Sequence, residues 1–441
     1  MARVLADYLA GRCMPMLLQD VLAEIGIDAH QTTVYRWMQR AREHGWVEMN
    51  GQGRTARWTA SLELRNEAAR RHFLKPVEKR QMVGYNEAFL DEYVPNQSFY
   101  LTAVQRERLH QQCRPGTANF VELSEHDQSL FMCGLSYASS SLEGNQYDFA
   151  STEKLLIEGM AKEGASEQET IMVLNHREAV RYLIENIHYP QRRMDLHTRA
   201  TDLKNVHALL SQHLLRDPAM CGTLRKGPVR IKHSAYSPPS LHELIEREFL
   251  TIADKAQDIQ DPYEQAMFLL VHLPYLQPFE DCNKRTARVA CSIPLLKRGV
   301  VPMSWMDVTH KDYIDGILGV YERNNVSLLS EVFVEGFIRS SERFNVMRAA
   351  LDPNVAVVKY RTALRRTVRA VVLGGDVDFE EDVDPADHKE FCLFVEKELD
   401  LLRHQNAAAL LRYRLMEGDV DAWQNRDADV ETVLAREREP A

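Results

Sequence analysis

No run of about 18 or more apolar residues occurs anywhere in the 441-residue chain, so a membrane-spanning helix is not expected. The first residues include Asp7 and hold no long apolar core ahead of a small-residue cleavage site. No secretory signal is therefore expected, and the cytoplasm is the expected compartment. The seven cysteines (Cys13, Cys113, Cys133, Cys221, Cys282, Cys291, Cys392) are odd in number and form no CxxC pair. That argues against a disulfide framework and against a structural zinc site. Low-complexity tracts and repeats of fixed period are also missing. Positive charge is not in excess: 54 Lys and Arg face 64 Asp and Glu, a net charge of −10. Nonspecific nucleic-acid binding by the whole chain is thereby disfavoured.

What remains is an ordinary globular composition, 45% apolar and 27% charged, in a chain too long for one compact core. About two to four domains are expected. Charge is uneven along the chain. Residues 31–80 are rich in arginine (Arg36, Arg40, Arg42, Arg54, Arg57, Arg65, Arg70, Arg71), whereas residues 376–390 are acidic. One basic module within an acidic protein is compatible with that distribution.

Residues 1–60 read as a helix-turn-helix followed by a wing. A first helix runs through Val4, Leu5 and Leu9, and a second carries Leu17, Leu18, Val21, Leu22 and Ile25 up to Gly26. A threonine of Thr32-Thr33 is expected to cap the third helix, whose buried stripe is Val34, Trp37, Met38 and Ala41. Residues 46–59 read as strand, glycine turn, strand. This order resembles the winged-helix family, in which the third helix enters the DNA major groove. Gln31, Thr33, Arg36, Gln39 and Arg40 would then face DNA, with Arg54 and Arg57 on the wing. A protein–protein module is the alternative, since exposed arginines commonly form a solvated face.

Further along, residues 71–125 read as a helical connector punctuated by Pro76, Pro95 and Pro115. Residues 126–345 are a succession of amphipathic helices, interrupted at 222–239, where alternation bracketed by glycine and proline suggests a β-hairpin. Residues 346–441 read as a helical tail.

The segment richest in chemistry is Gln277-Pro278-Phe279-Glu280-Asp281-Cys282-Asn283-Lys284-Arg285-Thr286-Ala287-Arg288. A proline-bounded loop runs into a helix opening near Asn283, whose first N–H groups lack internal partners and attract anions. Lys284, Arg285 and Arg288 add three cations, and two arginines suit a polyphosphate better than a single carboxylate. Asp281 supplies a hard oxygen for Mg²⁺. An exposed basic helix start is the alternative reading.

This segment resembles the signature of the Fic (Fido) family, His-Pro-Phe-x-(Asp/Glu)-Gly-Asn-(Gly/Lys)-Arg-x-x-Arg. Upstream, Ser139-Ser140-Ser141-Leu142-Glu143-Gly144-Asn145 resembles the family's inhibitory motif, and residues 173–179 the helix after it. Gly222 to Pro239 is similar to its flap, and Asp312-Tyr313 and Asn325-Val326-Ser327-Leu328 to its closing helices. The resemblance covers about residues 130–340 and implies a mainly α fold: a Fic-type helical bundle with a short β-hairpin flap. A small winged-helix domain (1–70) and the connector precede it, the Fic domain with its inhibitory helix fills 126–345 (core about 190–341), and the helical tail follows. It further implies binding of ATP and Mg²⁺ and transfer of AMP to a protein hydroxyl. Asp281 would hold Mg²⁺, Asn283 and Lys284 would lie beside the phosphates, Arg285 would meet the β-phosphate, and Arg288 the γ-phosphate. Glu143, with Ser139 in the same motif, would engage Arg288 and inhibit. Val229, Arg230 and Ile231 would hold a target segment by strand-like pairing.

Two positions depart from the family. Cys282 replaces glycine, so a side chain is expected to resist the tight turn there. Gln277 replaces the histidine that takes the hydroxyl proton, and an amide cannot accept a proton near neutral pH. His272 and His233 are the other candidate bases; Pro274 is expected to break a helical relation between His272 and Gln277. Three functions follow from this pattern: slow, autoinhibited adenylylation; nucleotide sensing that modulates a winged-helix DNA reader; or removal of AMP from a protein. The expected partners are ATP, a protein substrate, double-stranded DNA and a second copy of the chain, with no membrane among them.

Overall fold

The computed structural model describes residues 1–12, 15–27, 29–113, 125–188, 198–351, 360–375, 379, 382–404, 410, 413 and 415–425. Among them no helix is long and apolar enough to cross a membrane, and the six described cysteines are free thiols. The chain divides into two compact units, Met1–Asn345 and Val346–Ala441.

The first unit begins with α1 (Ala2–Leu9), β1 (Met16–Leu17), α2 (Leu18–Ile25), α3 (Gln31–Glu43), β2 (Val47–Asn50), β3 (Arg57–Ala60) and α4 (Leu62–Phe73). Gly26 ends α2 in the left-handed conformation at φ 70°, which glycine adopts without a Cβ penalty. His30, not a threonine, caps α3: its Nδ1 accepts from the Thr32 N–H at 3.4 Å. The strands form one antiparallel sheet in the order β1–β3–β2, with Met16 opposite Trp58 and Val47 opposite Ala60. Strand β1 was not expected from the sequence. Two residues carry too little alternation to register as a strand. The apolar stripes of the three helices meet Trp58 and Leu64 in one core that includes Leu5, Leu9, Val21, Val34 and Met38.

The chain continues through β4 (Val83–Gly84), α5 (Ala88–Asp91) and α6 (Ala103–Gln112), then α7 (Glu125–Ser141), α8 (Phe149–Glu153), α9 (Glu167–His188) and α10 (Ala200–Ser211). It ends with β5 (Tyr236–Ser237), α11 (His242–Asp258), α12 (Pro262–Leu276), α13 (Asn283–Ala290), α14 (Ser292–Lys297), α15 (His310–Arg323) and α16 (Ser327–Leu351). Helix α12 is mostly apolar and buried along its length except at Gln265, as expected for a central helix. It is anchored to the stretch before α6 by Glu264, whose carboxylate accepts from the Tyr100 N–H (2.6 Å), the Leu101 N–H (3.0 Å) and the Tyr93 hydroxyl (3.0 Å). Three donors satisfy a buried carboxylate that would otherwise be costly.

Pro274 does not break α12, which runs on to Leu276. The hairpin expected over 222–239 is also absent. That segment contributes only β5, paired in parallel with β4. The reason is local: Pro228, Pro238 and Pro239 carry no N–H for a ladder. The carbonyls of Gly227 and Pro239 accept instead from the Arg225 guanidinium at 2.7 and 2.5 Å.

The second unit holds α17 (Arg361–Leu373), α18 (His388–Arg403) and α19 (Glu417–Gln424). Val368, Val372, Phe391, Val395, Leu402 and Trp423 share its core. Arg366 pairs with Asp382; most of the acidic stretch lies outside the described residues.

Candidate functional site

Helix α12 ends at Gln277 in the left-handed conformation (φ 52°), and a second left-handed residue, Cys282 (φ 60°), precedes α13. Two such turns fold residues 277–282 into a tight loop ahead of α13, whose first amides have no partner within the helix. Asn283 closes the loop. Its Oδ1 accepts from the Phe279 N–H (2.9 Å), while its Nδ2 donates to the Phe279 carbonyl (2.9 Å) and to Gln277 Oε1 (3.0 Å). Asp281 stabilises the second turn, since its Oδ1 accepts from the Cys282 N–H at 2.6 Å.

Cys282 thus adopts the turn that its side chain was expected to resist, at a cost of about 1–2 kcal/mol for a non-glycine residue. The side chain turns inward, where burial pushes the thiol up to about 12. Its sulfur lies 2.9 Å from Arg285 Nη2.

The three cations of α13 have different surroundings. Arg288 is fully buried and saturated. Its Nε donates to Ser139 Oγ (3.0 Å), its Nη1 to the Tyr313 hydroxyl (2.8 Å), and its Nη2 to the Ser139 carbonyl (3.0 Å) and Glu143 Oε1 (2.8 Å). Lys284 Nζ meets the other Glu143 oxygen at 2.8 Å. Burial alone would raise the Glu143 carboxyl, but Arg288 and Lys284 outweigh it and hold the group at about 2. Arg285 is also buried, yet its Nη1 has no hydrogen-bond partner, and the nearest carboxylate oxygen, Asp281 Oδ2, is 4.0 Å from Nη2. A buried guanidinium without an anion is costly. The position fits a phosphate.

Gln277 has no free proton-accepting nitrogen. Its Nε2 donates to the Pro274 carbonyl (2.7 Å) and to the Tyr321 hydroxyl (3.1 Å). His272 is fully buried among Phe89, Tyr93, Tyr100 and Phe268. Its Nε2 is hydrogen-bonded to the Tyr100 hydroxyl at 2.6 Å, and burial pushes the ring down to about 3. It is a core residue, not a base at this site. His233 is exposed at φ 60°.

Three buried side chains near the site were given no role of their own by the sequence, although His176 and Arg225 lie within the segments 173–179 and 222–239. His207 of α10 stacks on Phe279 with centroids 3.8 Å apart. Its Nδ1 accepts from the Gly222 N–H (2.9 Å), which leaves the proton on Nε2, facing the Asp281 carbonyl at 3.3 Å. Burial, with Arg285 adding to it, pushes His207 down to about 3, so the ring is neutral. Its one sequence signal is a histidine within the buried stripe of Leu203, Val206 and Leu210. His176 on α9 is buried with neither ring nitrogen bonded; burial, then Arg288 and Arg285, push it down to about 3. Arg225 is fully buried and donates to the Gln277 carbonyl (2.6 Å) as well as to Gly227 and Pro239. It ties the loop to both ends of the 222–239 segment. Of the expected target-binding residues there, Arg230 is exposed and Val229 and Ile231 are half-buried, none of them in a strand.

On α3, Arg36 and Arg40 are exposed and Thr33 is half-buried. Arg57, exposed on β3, donates to the Pro15 carbonyl at 3.1 Å. The Arg54 side chain lies outside the described residues.

Asp281 is largely exposed, its side chain 72% accessible. Among the described residues no group of three or more His, Cys, Asp or Glu could hold a metal. One carboxylate suits Mg²⁺ only when phosphate oxygens complete its shell.

Residues 197–295 match the family model described as Fic/DOC family. Protein adenylyltransferase fic-1 of Caenorhabditis elegans is 25% identical over 182 residues, 40% of this chain and 34% of that protein. Protein adenylyltransferase Fic of Nematostella vectensis is 27% identical over 183 residues, 41% of each. The chain thus spans well under half the length of the curated relatives it matches. A solved Fic family protein from Desulfovibrio desulfuricans G20 aligns at a TM-score of 0.44 and 16% identity, covering 63% of this chain and 82% of that one. The loop and the helix start that gather these cations both fall inside the matched residues, and residues 197–295 constitute a Fic/DOC-family domain.

Proposed function

We propose that this chain binds ATP at the start of α13 and transfers AMP to a protein hydroxyl, slowly and under inhibition by Glu143. The observation that carries the proposal is the buried Arg285 guanidinium, whose Nη1 lacks any partner beside amides that attract anions. Asp281 would hold Mg²⁺, which supplies charge compensation for the phosphates. In the reaction the target oxygen bonds to the α-phosphorus, the bond to the β-phosphate oxygen breaks, and pyrophosphate leaves. The hydroxyl proton goes to solvent water, since Gln277 cannot accept it. Charge neutralisation and positioning remain, which is most of what phosphoryl chemistry requires.

Glu143 inhibits because it occupies two cations a triphosphate would use, Arg288 and Lys284. Glu143→Gly is expected to tighten ATP binding by about 10–100-fold, the worth of one charged hydrogen bond at about 1.5–3 kcal/mol. A group held at about 2, below its ordinary value, contributes its pairing above the ordinary carboxylate range. That contribution is lost only as pH falls through the folded value. The gain should therefore be the same from pH 5 to pH 8. Calorimetry with Mg-ATP across that range checks both points, and no heat from the Glu143→Gly protein in any buffer would overturn the proposal.

A second reading, nucleotide sensing without transfer, is favoured by the engaged amide of Gln277. It is separated from the first by labelled ATP. Protein that binds the nucleotide but deposits no label on itself or on lysate proteins is a sensor.

For residues 1–70 we propose a winged-helix module that reads DNA through α3. The exposed Arg36 and Arg40 support it. Binding to duplex DNA should fall steeply with salt, and Arg36→Ala/Arg40→Ala should weaken it at least tenfold in an anisotropy titration. Unchanged affinity would remove DNA from the function.

A further inference from the structure

Away from the α13 site, the end of α1 at Gly11, the segment between α4 and β4, and the C-terminus of α15 enclose a cavity of about 440 Å³. Its walls carry Lys75, Lys79, Arg80, Arg323 and His72 against a single carboxylate, Glu322. That carboxylate is already committed. Its Oε2 is 2.8 Å from His72 Nε2, and its Oε1 accepts from Arg80 (3.2 Å), Ser234 Oγ (3.0 Å) and the Ala235 N–H (3.0 Å). Lys75, Lys79 and Arg323 have no carboxylate partner among the described residues. Arg323 is the most telling of them. It is half-buried, and its Nε is sealed from solvent with no hydrogen-bond partner. Its Nη2 lies over Gly11, where a Cβ would come within 3.1 Å. Burying a cation without an anion costs several kcal/mol, so the half-buried Arg323, with the exposed Lys75 and Lys79 lining the same cavity, is an arrangement open to an anion.

We infer that this cavity is a second anion site, distinct from the one at α13, and that it takes a small di- or triphosphate. Several cations spaced around one cavity match a chain of phosphates better than a single carboxylate. The volume lies in the range of small-molecule pockets, about 300–1,000 Å³. Among the described residues no phenylalanine, tyrosine or tryptophan lines it, and the cations there favour phosphate oxygens as the group recognised.

The probe is inorganic triphosphate, which has no base and no adenylyl group, titrated into the full chain at constant ionic strength. Arg285→Ala silences the α13 site and should leave saturable triphosphate binding. Adding Lys75→Gln, Lys79→Gln and Arg323→Gln should weaken that binding at least tenfold. Lys75 and Lys79 are exposed, so the Lys75→Gln/Lys79→Gln pair alone keeps the test valid should Arg323→Gln disturb folding. Absence of saturable binding by Arg285→Ala, or equal affinity with the cations removed, overturns the inference. So does loss of duplex-DNA binding in Lys75→Gln/Lys79→Gln without any triphosphate heat, which would assign these lysines to a DNA backbone. None of these outcomes bears on ATP at α13, whose test is the titration of Glu143→Gly with Mg-ATP.

Discussion

Gln277→His, introduced together with Glu143→Gly, is expected to raise the rate of label transfer from ATP by about 10²–10⁴-fold, the usual worth of a positioned base. The loop is already shaped for it. Position 277 caps α12 in the left-handed conformation, a geometry histidine tolerates better than most residues. The Pro274 carbonyl that now accepts from Gln277 Nε2 can accept from one imidazole N–H, which leaves the other ring nitrogen unprotonated as an acceptor. Asn283 keeps its two bonds to Phe279, so the loop survives loss of the contact to Gln277. Single-turnover labelling, compared with Glu143→Gly alone, measures the effect. Equal rates in two proteins that bind ATP equally well would show that proton removal does not limit this site.

Arg225→Met is expected to destabilise the protein by about 3–5 kcal/mol, the sum of three lost hydrogen bonds at about 1–1.5 kcal/mol each. The methionine fills most of the volume, so the loss reports hydrogen bonds more than packing. Three carbonyls, those of Gln277, Gly227 and Pro239, lose their donor at once. Each buried acceptor left unpaired costs about 1–3 kcal/mol. Because one of them belongs to the loop that aims the α13 amides, nucleotide affinity should fall as well. Urea unfolding of Arg225→Met and Arg225→Lys reads the stability. A midpoint within error of wild type for the methionine variant would mean that the 222–239 segment is held by something else.

Under the proposed function the arrangement around α13 is one of competing anions. Glu143 and a triphosphate would make claims on the same side chains, and the carboxylate has the shorter reach and no entropy of association to overcome. Its two partners, Arg288 and Lys284, are four residues apart on one face of α13, so a single carboxylate spans both. Arg285 is left outside that pair. The balance between latch and ligand therefore turns on whether contacts at Arg285 and the helix amides, added to displacement of Glu143, outweigh two ion pairs.

Much of the local structure follows from the sequence alone. Gly26 after an apolar stripe ends a helix because only glycine takes φ 70° without strain. Val34, Met38 and Ala41 form a buried face because their spacing matches the helical period. Asn283 opens a helix after a proline-bounded loop, and the unpaired amides there follow from backbone geometry wherever that helix is placed. The hairpin failed because alternation does not register that Pro228, Pro238 and Pro239 have no N–H to give a ladder. Of the three carbonyls bound by the Arg225 guanidinium, only that of Gln277 belongs to another segment. His207, fifteen residues before the Gly222 amide it binds, and Glu143, 145 residues from Arg288, acquire their parts only when α7, α10 and α13 pack together. Propensity and charge act over a few residues and are written in the chain. Which buried cation finds an anion, and which is left without one, is set by long-range packing, where desolvation makes each pairing worth several kcal/mol.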